Sequence, residues 1–494
     1  MADLITDFRG QWLGVGFKAA TPQHSAEHGL ETAAHASIAG IDARAWDALA
    51  PGSAEGYDLY RTLETITPPG FKLGALTVRD GRQLIAAAPM FRCDFRLDTP
   101  FQGRIRALTD RVHHLAPRLT TLRIIGLGSP MSDNCNINLH PNLTPEQSTA
   151  ARVALVDRLM ALAKAEASQV IVVKSLGSET PDWHATLDQR QFSRIRSVPV
   201  VALPLPYTCL DHYLASLPDK MGAYFKRKMK PASALRIEYR TSIEGLEGQI
   251  QRLYESTLQQ SAVSYGEFDA LHPDYVSNLL RNLGPRAQLM LCWRGDELLS
   301  FQIFIVGAKR IIANKIGMQY PEAREFNLYF VNWLKMIEFA CERGIAEIEM
   351  GATTYAAKML FGGQLEPRNI YFRFQNGVAN TLTRPLHGLF DFEKNDPELQ
   401  RLAAQKLEAA NALTATLPLK TAPSQHRDTT SQALKPQSPK NTTGKKQKAR
   451  AGERPSAQMP PGLAKHSQST PGQIAPDKSV SVAIGSDHTG QQAP

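Results

Sequence analysis

Seven basic residues fall within 21 positions of this chain: Lys220, Lys226, Arg227, Lys228, Lys230, Arg236 and Arg240, against Glu238 alone. A solvated helix face normally mixes signs. This density points to an anionic ligand, with Lys226, Arg227 and Lys228 as the candidate contacts. Within the same stretch Met221, Phe225 and Met229 recur at i, i+4, so its aromatic residues read as core and not as base-stacking platforms. His113, His114, Asp133, Cys135 and His140 bring metal-ligating side chains together, but their spacing matches no standard ligand pattern, and no metal is expected. The five cysteines (Cys93, Cys135, Cys209, Cys292, Cys341) are scattered, lack CxxC spacing and mostly sit in or beside apolar runs. They read as packing residues with reduced thiols. Asp133 is different. It lies in a polar, turn-rich loop, Pro130-Met131-Ser132-Asp133-Asn134, and is a candidate substrate contact facing a cleft between domains.

These residues must be held by elements that occur twice. Asp80-Gly81 separates two β-rich runs over 73–91, a hairpin signal because glycine tolerates positive φ in a tight turn. The run 288–305 repeats it around Gly295, and each glycine is followed by two polar residues and then Leu-Ile or Leu-Leu. Beyond the first hairpin, the spacing predicts a helix over 146–165 and a buried strand over 169–174. Beyond the second, it predicts a third strand over 310–317, a helix over 327–343 and a strand over 345–350. A short helix ending near 363, a strand over 369–374 and a helical appendage over 387–416 complete the reading. The repeat of hairpin, helix and strand predicts a duplicated α/β domain, the period being far above the ~20–50 residues of solenoid arrays.

Hairpin, strand, helix, strand is the core order of the GNAT-type N-acyltransferases. The chain resembles their double-GNAT branch, which includes FemAB-like proteins and CelD-like polysaccharide-biosynthesis acyltransferases. Four segments carry the resemblance: the strand and loop from Leu122 to Ser132-Asp133; Tyr213-Leu214-Ala215-Ser216-Leu217-Pro218 leading into Lys226-Arg227-Lys228-Met229-Lys230; Asn327-Leu328-Tyr329-Phe330; and the run from Gly351 through Tyr355 and Lys358 to Gly362-Gly363. Where the family often has Asp-x-Gly after its last strand, this chain has Glu349-Met350-Gly351, and its Tyr355 and Lys358 replace a Tyr-Lys dipeptide.

The resemblance, over roughly 36–380, implies α/β architecture in two tandem GNAT-like mixed-sheet domains. The boundaries are 1–35, a variable N-terminal segment; 36–205, an N-terminal GNAT-like domain; 206–380, the acyltransferase domain; 381–420, a helical appendage; and 421–494, a disordered basic tail. It implies transfer of an acyl group from a thioester to an amine, on an envelope or polysaccharide precursor. Acyl-CoA or an acyl-carrier thioester would be the cosubstrate, with no permanently bound cofactor. The donor's arm would lie along 310–318, past Gly317, with a diphosphate near Asn327 at the next helix start. Glu349 would be the base and Tyr355 the acid. Asn314, Lys358 and Asp133 would contact substrate. Two alternatives stand beside this: Fem-type aminoacyl transfer from tRNA, disfavoured by the lack of sustained heptads, and a non-catalytic binding or scaffold protein.

Composition bounds the rest. The 494 residues leave room for two to four domains, and at 43% hydrophobic a sizeable core is available. No apolar run approaches the ~18–20 residues of a membrane helix, and the N-terminus lacks a basic-then-apolar start, so a cytoplasmic protein is expected. The net charge of +9 is largely a tail property. Residues 421–494 hold ten Lys or Arg against four Asp or Glu, nine prolines and no aromatic residue, a composition that does not bury enough apolar surface to order itself. Its cluster Lys445-Lys446-Gln447-Lys448-Ala449-Arg450 is a candidate contact for anionic lipid or nucleic acid, though a solvated tail is the expectation. A small-molecule or glycan-precursor amine, and an acyl carrier protein, are the other partners implied.

Overall fold

The computed structural model describes residues 20–24, 29–96, 121–177, 180–218, 220–260, 271–385, 388 and 391–405. The tail at 421–494 and the end of the expected appendage lie outside them. Among the described residues, fourteen strands form one mixed sheet. In chain order they are β1 (Ala20–His24), β2 (Glu31–His35), β3 (Phe71–Asp80), β4 (Gln83–Arg96), β5 (Thr121–Leu127), β6 (Asn138–Leu139), β7 (Val170–Gly177), β8 (Ser193–Pro204), β9 (Arg236–Arg240), β10 (Ala287–Arg294), β11 (Glu297–Val306), β12 (Arg310–Met318), β13 (Glu347–Gly351) and β14 (Gln364–Phe374). Their order across the sheet is β1-β2-β3-β4-β5-β7-β14-β8-β13-β12-β11-β10-β9, with β6 attached to β4.

Read from the centre outward, the order is the same twice. The expected hairpins are β3–β4 and β10–β11. Gly81 and Gly295 adopt φ of 56° and 57° at matching loop positions, and each hairpin carries a register shift two pairs in from its tip. In both halves three antiparallel strands lead to one parallel pairing, β5 with β7 and β12 with β13. The crossover helices are Pro145–Ala165 and Leu328–Glu342. The first begins where Thr144 and Gln147 form a reciprocal capping box ahead of Pro145, which satisfies the exposed N–H groups of the first turn.

The last strand of each half is exchanged. β8, from the first half, pairs with β13, and β14, from the second, pairs with β7. β8 and β14 also pair with each other over 193–202 and 364–372 and form the seam. The N-terminal segment, read from sequence as variable, supplies the edge strands β1 and β2. The helical appendage holds the helices Gly377–Thr383 and Phe392–Asn395 and helical residues 397–405, the last anchored by buried Leu399.

Candidate active site

β12 and β13 run together for three residue pairs only, from Arg310 opposite Glu347 to Ile312 opposite Glu349. Beyond Ile312 they part. A bulge in the β11–β12 register falls at Asn314, between the pairs Phe304–Ala313 and Ile303–Lys315. The period of two along β13 sends Ile348 and Met350 into the apolar core, which leaves Glu347 and Glu349 on the opposite face. There a single guanidinium meets three carboxylates: Arg310 pairs with Glu347, with Glu349 at 2.8 Å and with Glu366 at 3.4 Å.

The other wall comes from the first half. Ser132 Oγ donates to Glu55 Oε1 at 2.6 Å, and Asn134 Nδ2 lies 3.1 Å from Glu55 Oε2 and 3.0 Å from Glu349 Oε1. Asn134 Oδ1 in turn accepts from Arg368 at 3.0 Å. One side-chain amide thus joins two buried carboxylates. Asn136 adds a short bond to Glu55 and reaches the Tyr60 hydroxyl at 2.6 Å. Glu55 is fixed by its surroundings: Ser53 Oγ accepts from its N–H at 3.2 Å, and Asp47 holds the N–H of Tyr57 at the start of the helix Tyr57–Thr65.

A cavity of about 440 Å³ opens at this junction, and its polar lining includes Glu55, Asp133, Glu349, Asn314, Tyr275 and Lys315. Asn314 Oδ1 accepts from the Tyr275 hydroxyl at 2.7 Å. Burial and the nearby Glu55 charge raise Glu349 to about 7, against the opposing hydrogen bond from Asn134 and the charge of Arg310. Burial also raises Glu55, opposed by its three side-chain donors. A carboxyl poised near neutrality beside a cavity is suited to taking and returning a proton.

Of the residues selected from sequence, the structure brings Glu349, Asn314 and Asp133 to this cavity. Asp133 is exposed and has no hydrogen bond or ion pair among the described residues. Tyr355 does not reach the cavity. Its ring is fully buried in the core under β13 and its hydroxyl donates to the Pro199 carbonyl at 3.2 Å, so the geometry gives it a packing role in place of the acid. Lys358 is also buried and does not hold a ligand there. Its ammonium donates to the carbonyls of Gly351 and Ala352 at 3.0 and 2.8 Å, and burial lowers its pKa to about 8. It pins a strained turn in which Gly351, Thr353 and Thr354 all take positive φ.

Gly317 has no space for a cofactor beside it. A Cβ there would lie 2.2 Å from the Phe301 ring and 2.8 Å from the backbone N of Tyr254, so the glycine admits the helix Glu247–Gln259 against β12. Asn327 takes φ 53° at the start of the helix Leu328–Glu342, and its Oδ1 accepts from Lys228 at 3.0 Å. Lys226 pairs with Asp211 at 3.0 Å and Arg227 lies 5.6 Å from the Tyr224 ring. The basic helix Met221–Met229 thus meets the expected helix start, outside the cavity lining. It is seated by Phe225, fully buried and stacked on Phe361 at 4.7 Å.

Sequence reasoning missed Glu55, Asn134, Arg310 and Tyr275. Asn134 lay within the loop already singled out, and Arg310 opened an expected strand. Glu55 sits in a Gly-Ser-Ala-Glu-Gly turn with no local signal. Among the described residues no group of three or more His, Cys, Asp or Glu is disposed to hold a metal ion, and no helix is long and apolar enough to cross a membrane.

Residues 220–359 match the family described as acetyltransferase (GNAT) domain. No curated protein matches the chain. Similar solved structures include FemX, at 13% identity and TM-score 0.49 over 70% of this chain and 98% of its own. The C-terminal domain (DUF2156) of a putative lysylphosphatidylglycerol synthetase from Agrobacterium fabrum is similar at 13% identity and TM-score 0.43, over 70% and 95%. A tandem GNAT protein from the clavulanic acid biosynthesis pathway is similar at 13% and 0.38, over 70% and 98%. The family match spans the parallel strands β12 and β13 and the helix between them, so this part of the chain is a GNAT acetyltransferase domain and the protein a transferase.

Proposed function

We propose that the chain is an N-acyltransferase that moves an acyl group from a thioester to an amine bound in the cavity at the β12–β13 parting. The observation that carries this reading is Glu349: a carboxyl raised to about 7, on the cavity wall, at the position where the parallel strands separate. The thioester arm lies along residues 313–316, where β13 no longer accompanies β12, and backbone N–H groups there stabilise the developing oxyanion. The amine nitrogen attacks the carbonyl carbon; the C–N bond forms and the C–S bond breaks. Glu349 accepts the proton that the amine loses, and a proton returned to the leaving sulfur completes a neutral amide and a free thiol. Arg310 and Asn134 hold the carboxylate in place. Catalysis belongs to 206–380, with 36–205 supplying the facing wall. Acyl-CoA and an acyl carrier protein are the candidate donors, and the basic helix at 221–229 is the candidate contact for the donor's phosphates.

The test is thiol release with a series of acyl-CoA and carrier thioesters, with mass-spectrometric detection of the amide. Thioester-dependent amide formation that Glu349→Gln abolishes supports the reading. Transfer from aminoacyl-tRNA alone, with no thioester active, overturns the donor assignment.

A further inference from the structure

The cavity lining combines two characters. Glu55, Asp133 and Glu349 make it acidic. Along the rest, the helix Tyr57–Thr65 presents Leu59 and Leu63 at i, i+4, continued by Ile66, and Leu271, Ile305 and Ile312 add to the apolar wall. Prolines at 68, 69, 130 and 273 line it as well, and a proline has no N–H to offer. The remaining polar side chains of the lining are Thr67, Ser132, Asn314, Tyr275, Lys315 and His272, of which Tyr275 and Asn314 already bond each other at 2.7 Å.

We propose, on the basis of the transfer reading above, that the acceptor is a primary amine carried on an apolar body, an alkyl or arylalkyl amine, bound with its ammonium at Asp133 and Glu349 and its carbon chain along Leu59, Leu63 and Ile312. The acidic wall matches a cation, and Asp133 is the carboxylate there that is exposed and makes no hydrogen bond or ion pair among the described residues, its charge being felt by the Lys174 and Lys358 ammoniums. An amino sugar fits poorly. Its several hydroxyls need donors and acceptors, and those that fall against Leu59, Leu63, Ile66 and Ile312 would be left unpaired, which weakens binding. The proposal thus narrows the acceptor away from an unmodified glycan.

Calorimetric titration of the full-length protein with butylamine, hexylamine, octylamine and glucosamine tests it. Each added methylene should tighten binding by roughly fourfold until the wall is covered, from ~0.8 kcal/mol per buried CH₂. Met131→Ser, at a half-buried lining position that also packs on the apolar core, should flatten that gradient, and Asp133→Asn should weaken every alkylamine severalfold without changing the gradient. Both positions lie in the loop over 130–134, and the melting temperatures of the variants report whether the fold survives. Affinity independent of chain length, or glucosamine binding as tightly as hexylamine, overturns the proposal. A product assay separates the two readings. Acylated glucosamine with untouched hexylamine overturns this inference and leaves the transfer reading standing. A clear chain-length gradient with no amide from any thioester supports the amine site and removes the transfer reading.

Discussion

The two halves of the sheet arrive at the same point and finish it differently. In the second half the parallel pairing ends at Ile312 and Glu349; in the first it ends at Leu127 and Val173. Val173 therefore stands where Glu349 stands, and a residue with positive φ follows two places later in both, Ser175 and Gly351. Val173 is fully buried and apolar. The parting beyond it is filled by the half's own loop: Lys174 donates to the Ser132 carbonyl at 2.6 Å, Cys135 is buried, and Gly128 packs against both. The same loop then sends Ser132, Asp133 and Asn134 across to the other half's carboxylate. Duplication has produced one equipped site and one plugged copy whose plug serves as the far wall.

The largest test of that asymmetry is Glu349→Gln. It keeps the shape, exchanges one of the two acceptor oxygens facing Arg310 and Asn134 for an NH2 donor, and should lower turnover by ~10²–10⁴-fold, the usual weight of a proton-transfer group. Steady-state kinetics check it, and unchanged turnover would make the two halves functionally alike. The pH profile carries the same signature. In the proposed mechanism Glu349 acts as base when ionised, so kcat/KM should climb through about pH 7 and then level, and the Gln variant should lose that limb. The stability sign is opposite. The folded state holds a proton between 4.5 and about 7 that the unfolded chain releases, so this group's contribution is full below about 4.5 and is lost as pH rises through about 7. Melting temperatures of the Gln variant should therefore fall less steeply across that window.

Next in size is Val173→Glu, the reciprocal change. A carboxyl placed there has no counterpart of Arg310, and burying it costs roughly 2–7 kcal/mol. Denaturant unfolding should show a large loss with no gain in turnover; a second working site would break the comparison. Asn134→Ala removes the amide that joins Glu55 and Glu349. It should cost about 1–3 kcal/mol and shift the pH limb of kcat/KM upward, because one donor to the Glu349 carboxylate is gone. The smallest effect belongs to Tyr355→Phe. It deletes one bond to the Pro199 carbonyl, so about 1 kcal/mol of stability should go and turnover should stay within twofold.

Much of the architecture was legible because it rests on local signals. Gly81 and Gly295 mark their turns, and the apolar spacing of 146–165 and 327–343 gives helices bounded within two residues of those observed. The exchange of β8 and β14 was not legible, since both strands are ordinary β-rich runs and nothing local encodes their partners. The site divides the same way. Glu349, Asn314 and Asp133 follow from a strand end, a strand middle and a polar loop. Tyr355 and Lys358 misled because side chains near a strand's end can point beneath the sheet as readily as above it. Glu55 was invisible because its meaning comes from Asn134 and Asn136, about 80 positions away in sequence.

The exchanged strands also set a clock. β7 pairs with β14 from Val170 opposite Phe374 to Gly177 opposite Arg368, so its neighbour leaves the ribosome about 200 residues after it does. At ~5–20 residues per second, that is roughly 10–40 s during which the nascent first half exposes an unpaired strand edge. A fragment ending at 205 would keep that edge permanently, and one beginning at 206 would lack the strand that covers β13. During synthesis the first half therefore presents this edge until β14 has emerged.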